Sequence, residues 1–117
     1  KTWAMVAGHP DRIASIPATA AQKALDQVGM TVDDMDLIEI NEAFAAQYIA
    51  CERQLGLDRR ITNINGSCIG LGHPVGATGA RILMTLLYEL RRRGGGIGLA
   101  TMRWAKTGAM PSPGSSW

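Results

Sequence analysis

The chain has 117 residues, 46% of them hydrophobic and 19% charged, with 12 Lys and Arg against 10 Asp and Glu. This is the size and balance of one folded domain; it excludes a disordered chain, and a net charge of +2 is too small to argue for a nucleic-acid surface. Two cysteines without a CxxC partner claim neither a zinc site nor a disulfide framework, and neither a run of about 18 apolar residues nor a signal pattern is present, so a reducing cytoplasmic or organellar-matrix interior is expected.

Residues 3–7, Trp-Ala-Met-Val-Ala, read as a short strand stopped by a turn at Gly8-His9-Pro10. His9 is a loop residue with no role assigned. Because the chain opens on Lys1 and reaches a strand almost at once, it is expected to begin in mid-protein. Pro17 suits the first turn of a helix, where its missing N–H costs nothing. Ala21, Ala24, Leu25 and Val28 then fall at i, i+3, i+4 and i+7, a single apolar face, and Gly29 stands where a helix cap belongs.

Residues 37–40 read as a second strand, with Asn41-Glu42-Ala43-Phe44 at its carboxyl end. Asn41 has two readings. Asparagine is a preferred N-cap and contributes about 1 kcal/mol there; it also leaves a strand end, and in open α/β sheets ligands bind beyond the carboxyl ends of strands. Phe44, Tyr48, Cys51 and Leu55 mark one face of the next helix, which Gly56 closes. After a charged loop at 58–60, residues 61–65 alternate as a third strand and deliver the chain to a glycine-rich loop, 65–81. Gly66, Gly70, Gly72, Gly76 and Gly79 surround the single histidine of that loop, His73.

Ala80, Leu83, Met84, Leu87 and Leu90 then form a helical stripe, and Ile82 and Leu86 make the other side apolar too. A helix apolar nearly all round is expected between two layers of a larger body. Arg91, Arg92 and Arg93 sit at its end, where cations offset the helix dipole, so they read as a solvated terminus rather than a phosphate site. Gly94-Gly95-Gly96 ends the helix, and residues 97–102 read as a last strand. Strands alternating with helices define an α/β class with helices packed on a sheet. Residues 103–117, rich in Pro, Gly and Ser, read as an irregular tail.

Three motifs in register, Asn41-Glu42-Ala43-Phe44, the run 65–81 around Gly72-His73-Pro74, and Gly98-Leu99-Ala100-Thr101, resemble the C-terminal domain of the thiolase family, of the acetyl-CoA acetyltransferase type. The resemblance covers residues 3–102. It implies a thiolase-like C-terminal half, a mixed sheet with packed helices whose final strand is missing, and the long helix buried between the sheets of two stacked halves. It also implies Claisen condensation or thiolytic cleavage of 3-ketoacyl-CoA, with coenzyme A thioesters as substrates, no cofactor and no metal. A cysteine in the N-terminal half takes up the acyl group, His73 activates it, and His73 with a water held by Asn41 stabilises the thioester oxygen. The expected partners are the acyl-CoA or acetyl-CoA substrate, the absent N-terminal half and, in the parent, further copies of itself.

The pattern breaks where the family's second cysteine follows the Gly-Leu-Ala-Thr strand: here stand Arg103, Trp104 and Ala105. A guanidinium with pKa above about 12 cannot act as a base. Cys68 takes neither cysteine's role, since it lies inside the glycine loop where the family has a small residue. A shift of reading frame after Met102 would account for both the lost cysteine and the tail. Two functional classes follow: an acyl-CoA acyltransferase fragment, inactive alone, or a non-catalytic module that keeps the fold without the reaction. A phosphate-binding loop is disfavoured, because Gly70-x-Gly72-x-x-x-Gly76 misses GxGxxG and no Gly-Lys-Ser/Thr follows.

Overall fold

A computed structural model describes residues 1–103. Its regular elements are α1 (Ile16–Asp26), β1 (Leu37–Ile40), α2 (Ala45–Leu55), the one-turn α3 (Cys68–Leu71), α4 (Thr78–Arg92) and β2 (Gly98–Thr101), with short 3-10 turns at Pro10–Arg12 and Val32–Asp34. β1 and β2 pair in parallel, Leu37 opposite Gly98 and Ile40 opposite Thr101. The class is α/β, as the alternation of elements implies. Within the described residues the pairing is parallel throughout, without the antiparallel member of a mixed sheet.

All four residues of β1 are buried, because helices cover both faces of the sheet. Ile38 and Ile40 point to one side and meet Ala18, Ala21 and Leu25 of α1, Cys51 of α2 and Leu99 of β2. Burying side chains of this size contributes about 1.5–3 kcal/mol each. Leu37 points to the other side and packs on Leu86 and Leu90 of α4. β2 fits under α4 only because Gly98 has no side chain: a Cβ there would lie 2.8 Å from Leu86 Cδ1 and 2.9 Å from Leu90 Cδ1. Gly98→Ala should therefore lower stability by about 1–2 kcal/mol through overpacking, read as a fall in the urea midpoint at unchanged slope.

The helices begin and end where the local chemistry allows. Pro17 lies in the first turn of α1. Gly56 closes α2 with φ 66°, and its N–H and that of Leu57 both return to the Glu52 carbonyl. α2 starts only at Ala45, with Phe44 at its N-cap position and 62% exposed. Asn41 therefore caps nothing, and Phe44 does not belong to the buried face. The Arg91–Arg93 cluster is a helix terminus, as expected: Arg92 and Arg93 both pair with the buried Glu89, at 2.5 and 2.8 Å.

Two further expectations are corrected. Residues 3–7 form no strand, and Trp3 and Met5 are 76% and 74% exposed. No strand edge among the described residues pairs with this apolar run. Residues 61–65 supply one parallel bridge, Ile38 to Thr62, in place of a strand. The cause is Asn63, which turns to φ 50° and places its own carboxamide where the next peptide of a strand would lie. Its Oδ1 accepts from Ile40 N at 2.7 Å, and its Nδ2 donates to Ile40 O at 2.9 Å. α4 buries Ile82, Leu86 and Leu90, while Leu83, Met84 and Leu87 stay about half exposed. The irregular tail, and with it the expectation that a final strand is missing, lies outside the described residues, apart from Arg103.

Candidate active site

Asn41 directly follows β1 and is completely buried. Its backbone N–H donates to Thr101 O at 3.0 Å, which continues the pairing of β1 with β2 by one residue and fixes the side chain beyond the sheet edge. Opposite it the glycine-rich loop folds down. Glu42 anchors that loop: Oε2 accepts from Ile69 N at 3.1 Å and Oε1 accepts from Asn63 Nδ2 at 3.1 Å. Ser67 Oγ donates to Ile40 O at 3.1 Å, pinning the start of α3 to the end of β1.

These anchors bring Cys68 onto Asn41. Cys68 Sγ lies against Asn41 Oδ1, and Arg81 Nη2 lies against the same sulfur. Arg81 Nη1 donates to Gly72 O at 2.6 Å. One guanidinium thus ties the cysteine beside Asn41 to the peptide that precedes His73. Asn41 Nδ2, in contrast, is buried without a hydrogen-bond partner among the described residues. A buried amide donor left unsatisfied costs about 1–3 kcal/mol, which marks it as an atom whose partner comes from a ligand or a solvent molecule.

His73 is half buried, and its Nδ1 lies 2.7 Å from Thr78 Oγ1. Thr78 is fully buried and donates its hydroxyl proton to Pro74 O at 3.0 Å. With that proton on Pro74 O, which also accepts from Ala77 N at 2.7 Å, Thr78 accepts from the imidazole. In that arrangement Nδ1 carries the hydrogen and Nε2 keeps its lone pair, the tautomer in which a histidine can take a proton from a neighbour. His73 and Asn41 share no hydrogen bond; they are joined through Cys68, Arg81 and the Gly72 carbonyl.

Glu39 completes the surroundings. It projects from β1 on the α4 side, 4% exposed. Burial, together with the nearby Glu42, raises its pKa to about 7, against the opposing pull of Arg81. Sequence reasoning missed Glu39, Arg81 and Thr78 and set Cys68 aside. The i, i+4 relation of Pro74 to Thr78 was a usable signal, whereas the contact of Cys68 with Asn41 joins loops 27 residues apart and leaves no local trace.

A parallel α/β sheet whose strand end meets a glycine-rich loop carrying a histidine defines a class of small-molecule site at strand carboxyl ends. The chain belongs to the thiolase family: the family described as thiolase, C-terminal domain, matches residues 1–112. It is 50% identical over 101 residues to the acetyl-CoA acetyltransferase of Shinella zoogloeoides, a match covering 86% of this chain and 26% of that protein. Among solved structures, it is similar to the acetyl-CoA acetyltransferase of Bacillus anthracis, with 48% identity and a TM-score of 0.83, covering 86% of this chain and 26% of that one. It is likewise similar to human mitochondrial 3-ketoacyl-CoA thiolase in complex with CoA, with 44% identity, a TM-score of 0.83 and the same coverage. The chain thus spans about a quarter of the length of the relatives it matches. No helix among the described residues is long and apolar enough to cross a membrane.

Proposed function

We propose that this chain supplies His73 and Asn41 to an acyl-transfer centre acting on coenzyme A thioesters, whose acylating cysteine lies in sequence outside these residues. The observation that carries this is the 2.7 Å contact of His73 Nδ1 with the buried Thr78 Oγ1, on a loop tied to the strand end that bears Asn41. In the tautomer this reading requires, Nδ1 donates to Thr78 and Nε2 is the acceptor. In the reaction, Nε2 takes the proton of the acylating thiol, and the thiolate attacks the thioester carbonyl. The carbon–sulfur bond to coenzyme A breaks, and the departing thiolate receives the proton back from His73. Asn41 Nδ2, acting through a water, donates to the thioester oxygen while negative charge develops on it.

The following condensation or thiolysis of a 3-ketoacyl-CoA needs a second base, to move the α-proton of acetyl-CoA or that of the attacking thiol. Arg103 cannot serve, because a guanidinium keeps its proton at any working pH. The chain alone is therefore proposed to be inactive, and with a complement it is proposed to stop at the acyl-enzyme. Arg103 equally favours a second reading, a thiolase-fold module without catalysis. Fatty acid metabolism, self-association of the parent and a cytoplasmic or organellar-matrix setting accompany the first reading.

The two readings part in a half-reaction. The chain is co-folded with the preceding portion of the Shinella zoogloeoides relative, which brings the acylating cysteine, and the pair is exposed to acetyl-CoA. Acylation of that cysteine, followed by mass and by released coenzyme A thiol, should occur and should fall by about 100-fold or more in His73→Ala. Acylation that is absent, or indifferent to His73, would leave the non-catalytic module as the answer.

A further inference from the structure

Asn63 is the only residue other than glycine, among those described, that holds a positive φ, at 50°. Asparagine tolerates that region better than most side chains, yet the conformation costs free energy and persists only where its surroundings hold it. Three hydrogen bonds hold it here. Oδ1 accepts from Ile40 N at 2.7 Å, Nδ2 donates to Ile40 O at 2.9 Å, and Nδ2 donates again to Glu42 Oε1 at 3.1 Å. These partners fix which way the carboxamide faces, because a peptide N–H only donates, whereas a carbonyl and a carboxylate accept.

Capping the end of β1 would need no more than the two bonds to Ile40. The third reaches past Asn41 to the next residue, so the grip of Asn63 falls on both neighbours of Asn41. The peptide that joins Ile40 to Asn41 is held at both edges: its oxygen by Asn63 Nδ2 and by Ser67 Oγ at 3.1 Å, and its N–H by Thr101 O at 3.0 Å. That plane, with Glu42 secured beyond it, sets where the Cα–Cβ bond of the fully buried Asn41 points. Nδ2 of Asn41 has no hydrogen-bond partner among the described residues to aim it, which leaves the aim to the backbone and the packing around it. We infer that Asn63 is a positioning residue for Asn41: its carboxamide grips the residues on either side and so directs the Asn41 side chain beyond the end of β1. The aim belongs to the chain itself, and its use in catalysis rests on the acyl-transfer reading above.

The first test measures side-chain amide order by nuclear magnetic relaxation in the full chain. In the unaltered chain the Asn41 amide should be as ordered as rigid backbone, with an order parameter of about 0.8 or more. Asn63→Gly adopts the same φ without strain but has no carboxamide; in it the Asn41 value should fall below about 0.6, while that of Gln47, buried on α2, stays unchanged. A loss of overall stability would not single out Asn41 from Gln47. If Asn63→Gly does not fold, Asn63→Asp replaces it: the acceptor for Ile40 N remains, the donor to Ile40 O and Glu42 is gone, and Asn41 should again loosen selectively. An Asn41 amide that keeps its order in the variant, or that is already mobile in the unaltered chain, would overturn the inference.

The second test uses the acylation half-reaction of the co-folded pair, counted per folded complex. Asn63→Gly should slow acylation about tenfold at saturating acetyl-CoA, with the half-saturating concentration unchanged. Because Asn63 acts through Asn41, adding Asn63→Gly to Asn41→Ala should slow that variant by less than about twofold more. Losses that multiply, or an Asn63→Gly rate equal to that of the unaltered chain, would overturn the role in transfer. Absence of acylation in the unaltered chain would instead overturn the proposed function, and the order parameters would still decide what aims Asn41.

Discussion

Glu39→Gln is expected to stabilise the protein by roughly 3 kcal/mol at pH 8 and to change little at pH 4. The carboxyl group sits in the sheet layer, and its pKa rises from 4.5 to about 7, first because burial removes water from the charged form and second because Glu42 is close; Arg81 only partly compensates. The folded state thus holds the proton more tightly than the unfolded state. Stability contributed by the neutral acid is fully present below pH 4.5, is lost as the pH climbs toward 7, and levels off above that value. Glutamine keeps the shape and never ionises, so it escapes the loss. Urea unfolding of both forms across this range checks the sign, and because other carboxylates titrate in both proteins, the difference between the two curves isolates Glu39. Curves that run parallel would mean that Glu39 is solvated in the folded protein.

Asn63→Ala should cost roughly 3–4 kcal/mol, the largest loss expected from any single polar side chain here. The substitution removes the acceptor for Ile40 N and strands that N–H at the buried end of β1; Ile40 O keeps Ser67 Oγ as a partner. It also forces a residue with a Cβ but no compensating hydrogen bond to remain at φ 50°. Asn63→Gly separates the two effects, since glycine adopts that φ freely while losing the same hydrogen bonds, and it should recover about 1 kcal/mol relative to alanine. Asn63→Asp keeps an acceptor for Ile40 N but sets a negative charge beside Ile40 O and Glu42, so it should also be destabilised. Equilibrium unfolding of the three variants orders them, and equal stability of alanine and glycine would deny any role to the backbone conformation.

Asn63 also shows what the sequence could and could not reveal. Strand periodicity over residues 61–65 was real, yet a side-chain carboxamide standing in for a peptide cut the strand short at Thr62. The elements read from local rules survive: α1 with Pro17 in its first turn, β1, α2 with its Gly56 cap, α4 and β2. Misread were features set by distant partners. Residues 3–7 had strand composition but no edge to join among the described residues, and Asn41 had cap chemistry but no helix turn beginning at it. Around the candidate site, the glycines of the loop pointed to His73 and the strand end to Asn41. The contacts of His73 with Thr78 and of Cys68 with Asn41 are ones that no periodicity encodes.

The side of α4 turned away from the sheet has a further consequence. Leu83, Met84, Leu87 and Tyr88 are 49%, 52%, 53% and 68% exposed, and in solution each keeps ordered water against hydrocarbon. That strip is a reserve of free energy not drawn on by the described fold, released only when a second surface expels the water. In the chain by itself the same reserve favours clumping, the more so in sulfate or phosphate salts, which strengthen the drive to hide apolar area. A helix suited to two neighbours but given one remains adhesive on its open flank.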